Sequence, residues 1–196
     1  MAEIVLFHHV QGRTPGIHAL ADALREGGHV VHVPDLFDGE LPGSIEEGLA
    51  LMAGLADHVV AERTERALDG LPAELVYAGV SWGGSIAQRL AQTRPGARGA
   101  LLYESFVPLS AEWSFGPWPA GVPVQVHGME RDPFFAGEGD LAGARELVDL
   151  VGPELAEVFA YDGDAHLFTD ASLPSSDPAA TALVVERSRE LLARIG

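Results

Sequence analysis

The chain has 196 residues, enough for one domain with a sizeable core, and its formal charge of −17 at pH 7 disfavours nucleic acid and anionic membranes as partners. Cysteine and lysine are both absent, which excludes thiolate catalysis, disulfides, cysteine-ligated metals, lysine Schiff bases and a P-loop lysine. Covalent catalysis in this chain would therefore use serine, threonine, aspartate or glutamate.

Six short apolar runs, rich in valine, leucine and aromatic residues, predict β-strands that are buried on both faces of a sheet: 4–9, 29–34, 74–80, 99–104, 122–128 and 155–162. Helical patterns separate most of these runs, at 16–28, 44–68, 85–94, 139–151 and 177–195. Residues 105–120 contain aromatic residues and prolines but no period, and they predict a long loop.

The alternation of strand and helix predicts right-handed crossovers and a doubly wound, mostly parallel α/β sheet of about six strands. We expect one domain over residues 1–196, without an inserted cap domain. The stretch MAEIVLFHHV has no basic region and too short an apolar run for a signal peptide, and no run approaches the length of a membrane span. A cytoplasmic location, without a membrane partner and as a monomer or homodimer, is therefore the expectation.

The sequence GVSWG, residues 79–83, lies between a predicted strand and a predicted helix. It fits the G-x-S-x-G pattern of a nucleophile elbow, in which a strained turn exposes the serine hydroxyl at a helix N-terminus. Bulky residues two positions away from the serine would collide with the neighbouring strand and helix. An ordinary glycine-rich turn with Ser81 as a helix cap would give the same pattern, so the motif needs partners elsewhere in the chain.

A serine nucleophile requires a histidine base and an acid that orients it, and only two histidines follow Ser81. His127 lies inside the fifth apolar run, whereas His166 comes just after the sixth and is the better candidate base. The acid should follow the fifth strand, where Asp132 is preferred and Glu130 is the alternative. Nucleophile, acid and base then appear in the chain order that α/β-hydrolases use.

An oxyanion hole requires two backbone N–H donors. The N–H of Trp82, directly after Ser81, would supply one of them. The loop after the first strand would supply the other, most plausibly through Val10.

The sequence resembles the dienelactone hydrolase family of the α/β-hydrolase superfamily over nearly its whole length. The segments that carry the resemblance are HHVQGRTPG, VPDLFDG, GVSWGG, HGMERDPFF and YDGDAHLF. The resemblance implies that Ser81 is the nucleophile, Asp132 the acid, His166 the base, and Trp82 and Val10 the oxyanion donors. It also implies an esterase-type hydrolase without a cofactor.

Two positions depart from the family pattern. The founding members have cysteine at the elbow, where this chain has Ser81, which indicates general esterase chemistry more than dienelactone as the substrate. The family often has a glutamate in the first-strand loop that interacts with the cysteine, and His9 occupies that place here. A serine needs no such gating of a thiol, so the two departures are mutually consistent.

The expected substrate is a small ester or lactone in an open site. His9 and aromatic residues are its candidate contacts, and for a substrate with a carboxylate, Arg13 and Arg131 are the cations on the loops of the active face. The aromatic candidates, several of which could equally be core residues, are Trp82, Trp113, Phe115, Trp118, Phe134 and Phe135. A metal site at the adjacent His8 and His9 is not expected, because successive strand side chains point to opposite faces.

Three other functions fit the same sequence. An acyltransferase or perhydrolase would use the same triad with another nucleophile in place of water. A catalytically idle hydrolase fold could bind a small molecule or a partner protein. A flavodoxin-like phosphate or flavin binder would share the architecture, but the first-strand loop offers only Thr14 as a hydroxyl donor.

Overall fold

The computed structural model describes residues 1–196, apart from the side chain of Asp57. Six strands form one sheet: β1 (Glu3–Phe7), β2 (Val30–His32), β3 (Val76–Val80), β4 (Gly99–Tyr103), β5 (Val124–Met129) and β6 (Ala156–Tyr161). Their order in space is β2-β1-β3-β4-β5-β6, and every neighbouring pair is parallel. The predicted doubly wound α/β sheet of about six strands is confirmed.

Six helices flank the sheet: α1 (Pro15–Glu26), α2 (Ile45–Gly54), α3 (Asp57–Leu68), α4 (Trp82–Thr93), α5 (Asp140–Val151) and α6 (Pro178–Ile195). Helices α1 and α6 share one apolar cluster with the sheet, whereas α3, α4 and α5 contribute to a second cluster. Along β1, Ile4 and Leu6 lie in the first cluster, and Val5 and Phe7 lie in the second. Both faces of the sheet are therefore covered, which explains why the strands are continuously apolar.

The single helix predicted for residues 44–68 is wrong, because two helices occupy this segment. Leu55 has extended backbone angles of φ −84° and ψ 131°, directly after the last residue of α2. That last residue, Gly54, is a poor helix former, and the apolar pattern continues through it without marking the interruption. The start of α2 does follow the sequence, since the N–H of Glu47 donates to Ser44 Oγ at 3.1 Å.

Helix α4 begins at Trp82, three residues before the predicted start at residue 85. Residues 104–123 contain neither helix nor strand and include the predicted long loop of residues 105–120. Among the described residues, no helix has both the length and the apolar character needed to span a bilayer.

Candidate active site

Ser81 lies between the end of β3 and the start of α4 in a strained conformation. Its backbone angles are φ 50° and ψ −120°, in a region that residues with a side chain rarely adopt. The Ser81 N–H donates to Tyr103 O at 2.8 Å, and the Gly84 N–H donates to Ser81 O at 2.7 Å. Backbone hydrogen bonds on both sides therefore hold the turn in place.

The positions of Gly79 and Gly83, on either side of Ser81, have no room for a side chain. A Cβ atom on Gly79 would overlap the carbonyl oxygen of Gly83, and a Cβ atom on Gly83 would overlap the carbonyl oxygens of Phe7 and His8. Helix α4 can therefore begin immediately beside the end of β1 only if these positions lack side chains. This close approach is the geometry expected of a nucleophile elbow.

The side chain of Ser81 contacts His166, which lies on the loop after β6. Ser81 Oγ is 2.8 Å from His166 Nε2. His166 Nδ1 in turn lies 2.7 Å from Oδ2 of Asp132, on the loop after β5. The structure thus brings together three residues that are 34 and 85 positions apart in sequence, at one edge of the sheet.

Asp132 is completely buried and held by its own loop. Its Oδ1 accepts hydrogen bonds from the N–H groups of Phe134, at 2.8 Å, and Phe135, at 3.3 Å. Its other oxygen faces His166. Because a carboxylate can only accept, Nδ1 of His166 carries a proton and donates it, which leaves Nε2 free to accept from the Ser81 hydroxyl.

The surroundings of His166 favour its protonated form. Burial lowers the pKa of His166, but the hydrogen bond to Asp132 and the negative charges of Glu104, Asp132 and Asp140 outweigh burial, so the pKa is raised. This imidazole is therefore more basic than an ordinary histidine, as a group that accepts a proton from serine requires.

The two predicted oxyanion donors, the N–H groups of Trp82 and Val10, lie at the start of α4 and on the loop after β1. Trp82 begins α4, so its N–H has no acceptor within the helix, and Val10 lies on the loop after β1, against which Gly83 packs. Among the described residues, neither N–H has a hydrogen-bond acceptor. Both N–H groups are therefore available as donors, and their role in an oxyanion hole stays a prediction.

The remaining predicted substrate contacts differ in burial and in distance from His166. Phe134 packs against His166, with ring centroids 4.7 Å apart, whereas Phe135 is fully buried in the core beneath Gly128. Trp113 is 65% exposed, and Arg13 is exposed, with its guanidinium 3.9 Å from the carboxylate of Asp35.

His9 is fully buried, and its environment leaves no ring nitrogen for a substrate. Its Nδ1 accepts from the Gln11 N–H at 3.1 Å, and its Nε2 donates to Asp170 at 2.7 Å. The structure thus gives His9 the function of joining the first-strand loop to the loop before α6.

Three other residues considered in the sequence analysis, Glu130, His127 and Trp118, lie outside the hydrogen-bonded chain from Ser81 to Asp132. Glu130, the alternative acid, is exposed, and the hydrogen bond to His166 is made by Asp132. His127 is fully buried, and burial lowers its pKa to about 3. Trp118 is buried in the core, where its Nε1–H donates to Val122 O at 2.8 Å.

One residue near the site was missed in the sequence. Glu104 directly follows β4, is 2% exposed, and has a positive φ of 57°. Burial raises its pKa, while His166 and hydrogen bonds from Thr169 lower it. A charged residue at the carboxyl end of an apolar strand was the signal available, in the sequence LLYES.

Comparisons with known proteins agree on the family and on the fold. The sequence model of the dienelactone hydrolase family matches residues 1–196. Comparison with curated proteins found no match.

Several solved structures share the fold. A protein from Klebsiella pneumoniae assigned to the dienelactone hydrolases has a TM-score of 0.74 at 16% identity, covering 99% of this chain and 87% of that one. A dienelactone hydrolase-like promiscuous phosphotriesterase from metagenomic libraries has a TM-score of 0.73 at 16% identity, covering 100% and 87%. A thermophilic esterase from Thermogutta terrifontis, with propionate bound, has a TM-score of 0.68 at 18% identity, covering 100% and 84%.

The match to the family covers the whole chain, and the six-stranded parallel sheet flanked by helices is an α/β-hydrolase-like fold. The chain therefore belongs to the dienelactone hydrolase family, whose members are hydrolases acting on ester bonds.

Proposed function

We propose that this chain hydrolyses small carboxylic esters or lactones through an acyl-enzyme on Ser81. The observation that carries the proposal is the continuous hydrogen-bonded chain Ser81–His166–Asp132, with heavy-atom distances of 2.8 and 2.7 Å. Each of these residues follows a different strand, so this chain of contacts is a property of the fold and not of one local turn.

In the first half of the reaction, His166 Nε2 accepts the hydroxyl proton as Ser81 Oγ attacks the ester carbonyl carbon. The carbonyl oxygen becomes an oxyanion, and the N–H groups of Trp82 and Val10 stabilise it. Collapse of this intermediate breaks the bond to the alcohol oxygen, which takes the proton from His166. In a lactone, that alcohol stays attached to the acyl group.

In the second half, His166 takes a proton from water, and the resulting hydroxide attacks the acyl carbon. A second oxyanion forms and collapses, Ser81 Oγ leaves, and it regains its proton from His166. Asp132 remains ionised and stabilises the imidazolium in both halves. The net reaction adds one water to the ester and releases an acid and an alcohol.

The segments beside the site support a small substrate. The segment between β4 and β5, residues 104–123, is a loop and not a helical cap. Phe134 packs on one side of His166, and Trp82, which is partly exposed, stacks on Phe37 at 5.1 Å on the other side of the elbow. These aromatic rings are the proposed walls for the acyl or alcohol group.

The substitution Ser81→Ala tests the nucleophile. With a short p-nitrophenyl ester, we expect kcat to fall by at least about a thousandfold, because no hydroxyl remains to form the acyl-enzyme. The matched control is Ser85→Ala, one turn later on α4, where the hydroxyl donates to Trp82 O at 2.7 Å. Unchanged turnover by Ser81→Ala, or an equal loss in both variants, would contradict the proposal.

A further inference from the structure

Glu104 combines two unfavourable features next to the site. It is a non-glycine residue at φ 57°, and it is a carboxyl group with only 2% of its surface exposed. A positive φ and an incompletely paired buried carboxyl group each destabilise a fold. Strain and burial at the same residue are typical of functional sites.

The contacts of Glu104 connect it to the loop that carries the base. Its Oε1 accepts from the N–H of Thr169 at 3.0 Å and from the Thr169 hydroxyl at 2.9 Å. Thr169 comes three residues after His166. The other oxygen, Oε2, is buried and has no hydrogen-bond partner among the described residues. One half of the carboxyl group therefore holds the loop, and the other half has no donor in the described residues. Burial raises the pKa of Glu104 and the charge of His166 lowers it, so the ionised carboxylate is favoured most when His166 is protonated.

The charges around His166 come from three separate elements. Asp132 lies on the loop after β5, Glu104 lies directly after β4, and Asp140 begins α5, and all three raise the pKa of His166. His9 also lowers the pKa of Glu104, but less than His166 does, and both ring nitrogens of His9 are already engaged in hydrogen bonds. The imidazole of His166 is thus the group on which the charge of Glu104 acts.

We propose that Glu104 is a positioning residue that acts through His166, by fixing the loop that carries the ring and by stabilising the imidazolium that forms when Ser81 loses its proton. This inference rests on the proposed function for its catalytic consequence. The contact with Asp132 fixes the orientation of the ring, whereas Glu104 adds a second carboxyl group from the end of the neighbouring strand, β4.

The test is Glu104→Gln, which keeps an oxygen for Thr169 and removes the charge. We expect the pKa of His166, followed by NMR of its ring, to fall by about one pH unit. In the proposed reaction we expect kcat to fall about tenfold with little change in KM, because the charge acts on a state that forms only during turnover. The matched control is Asp164→Asn, which removes an exposed charge two residues from His166, where water screens it.

A second variant, Glu104→Gly, keeps the test decisive if glutamine at this position does not fold. Glycine adopts a φ of 57° without strain, and the variant should lower the pKa of His166 to a similar extent. An unchanged pKa of His166 in a folded Glu104 variant would overturn the inference, whatever its stability. The ring titration needs no turnover, so it can succeed or fail independently of the Ser81→Ala experiment.

Discussion

The residues of the elbow meet two requirements: a hydroxyl group on a residue with positive φ, and space for the backbone segments that meet there. Ser81 supplies the hydroxyl at φ 50°, and Gly79 and Gly83 leave the space that lets β3, α4 and the end of β1 meet. The sequence pattern alone is compatible with a plain turn. The atoms that a Cβ would meet show why glycine is needed at both positions.

The substitution Gly83→Ala tests this spatial requirement. Its Cβ would overlap two backbone carbonyl oxygens, so we expect the free energy of unfolding to fall by about 2 to 3 kcal/mol. The matched control is Gly54→Ala at the end of α2, where a Cβ would meet no atom within 4 Å and stability should stay equal or rise. Urea unfolding measures both, and an equal effect at the two glycines would contradict the account.

Which residues of the site can be predicted from the sequence depends on the loops that carry them. The sequence could predict that Ser81, Asp132 and His166 lie together, because each follows an apolar run that forms a strand of the parallel sheet, and their catalytic roles stay predictions. Glu104 also directly follows an apolar run, but neither its positive φ nor the burial of its carboxyl group can be read from the local sequence. Phe135 was predicted to touch the substrate, and its place in the core depends on the turn that Asp132 forms with its own backbone.

At the scale of elements, the start of α5 carries an acid in an unfavourable place. Asp140 is largely buried, and its Oδ2 accepts from the Phe106 N–H at 2.9 Å. Burial raises its pKa from 3.8 to about 6, aided by the charge of Glu138 and despite that hydrogen bond. The folded state therefore disfavours the ionised carboxylate relative to the unfolded chain, and the associated stability is lost as pH rises from about 4 to 6.

The substitution Asp140→Asn should remove this pH dependence. Asparagine can still accept from Phe106 but carries no charge, so we expect a gain of about 1 to 2 kcal/mol at pH 8 and little gain at pH 4. Urea unfolding at the two pH values measures the difference. The control Glu146→Gln, at an exposed position of the same helix, should give no such gain. A gain of the same size at both pH values would contradict the assignment to ionisation.

The pattern of apolar residues predicts the strands and helices, but it does not predict all of their boundaries. All six strands could be predicted, because a strand buried on both faces needs a continuous apolar run. The break between α2 and α3 could not be predicted, since the helix ends at Gly54 while the apolar pattern of the sequence continues. Because the glycines at 83 and 84 are poor helix formers, the sequence predicts that α4 begins at residue 85. In the structure, packing against β1 and β4 overrides this low propensity, and the helix begins at Trp82.

The whole molecule brings the ends of β1, β3, β4, β5 and β6 to one edge of the sheet, and each contributes a residue to the site or beside it. This arrangement follows from the parallel order of the strands, which places all their carboxyl ends together. The structural relatives share the fold at 16 to 18% identity, so they establish the architecture and leave the substrate to experiment.

The most direct test of the central claim is reaction of the whole protein with a fluorophosphonate, followed by peptide mapping. A fluorophosphonate is a suitable probe because it reacts covalently with a serine hydroxyl that a neighbouring base activates. The account predicts one label, on Ser81, that forms more slowly in His166→Ala and not at all after unfolding. A label on another residue, or none on the folded protein, would contradict it.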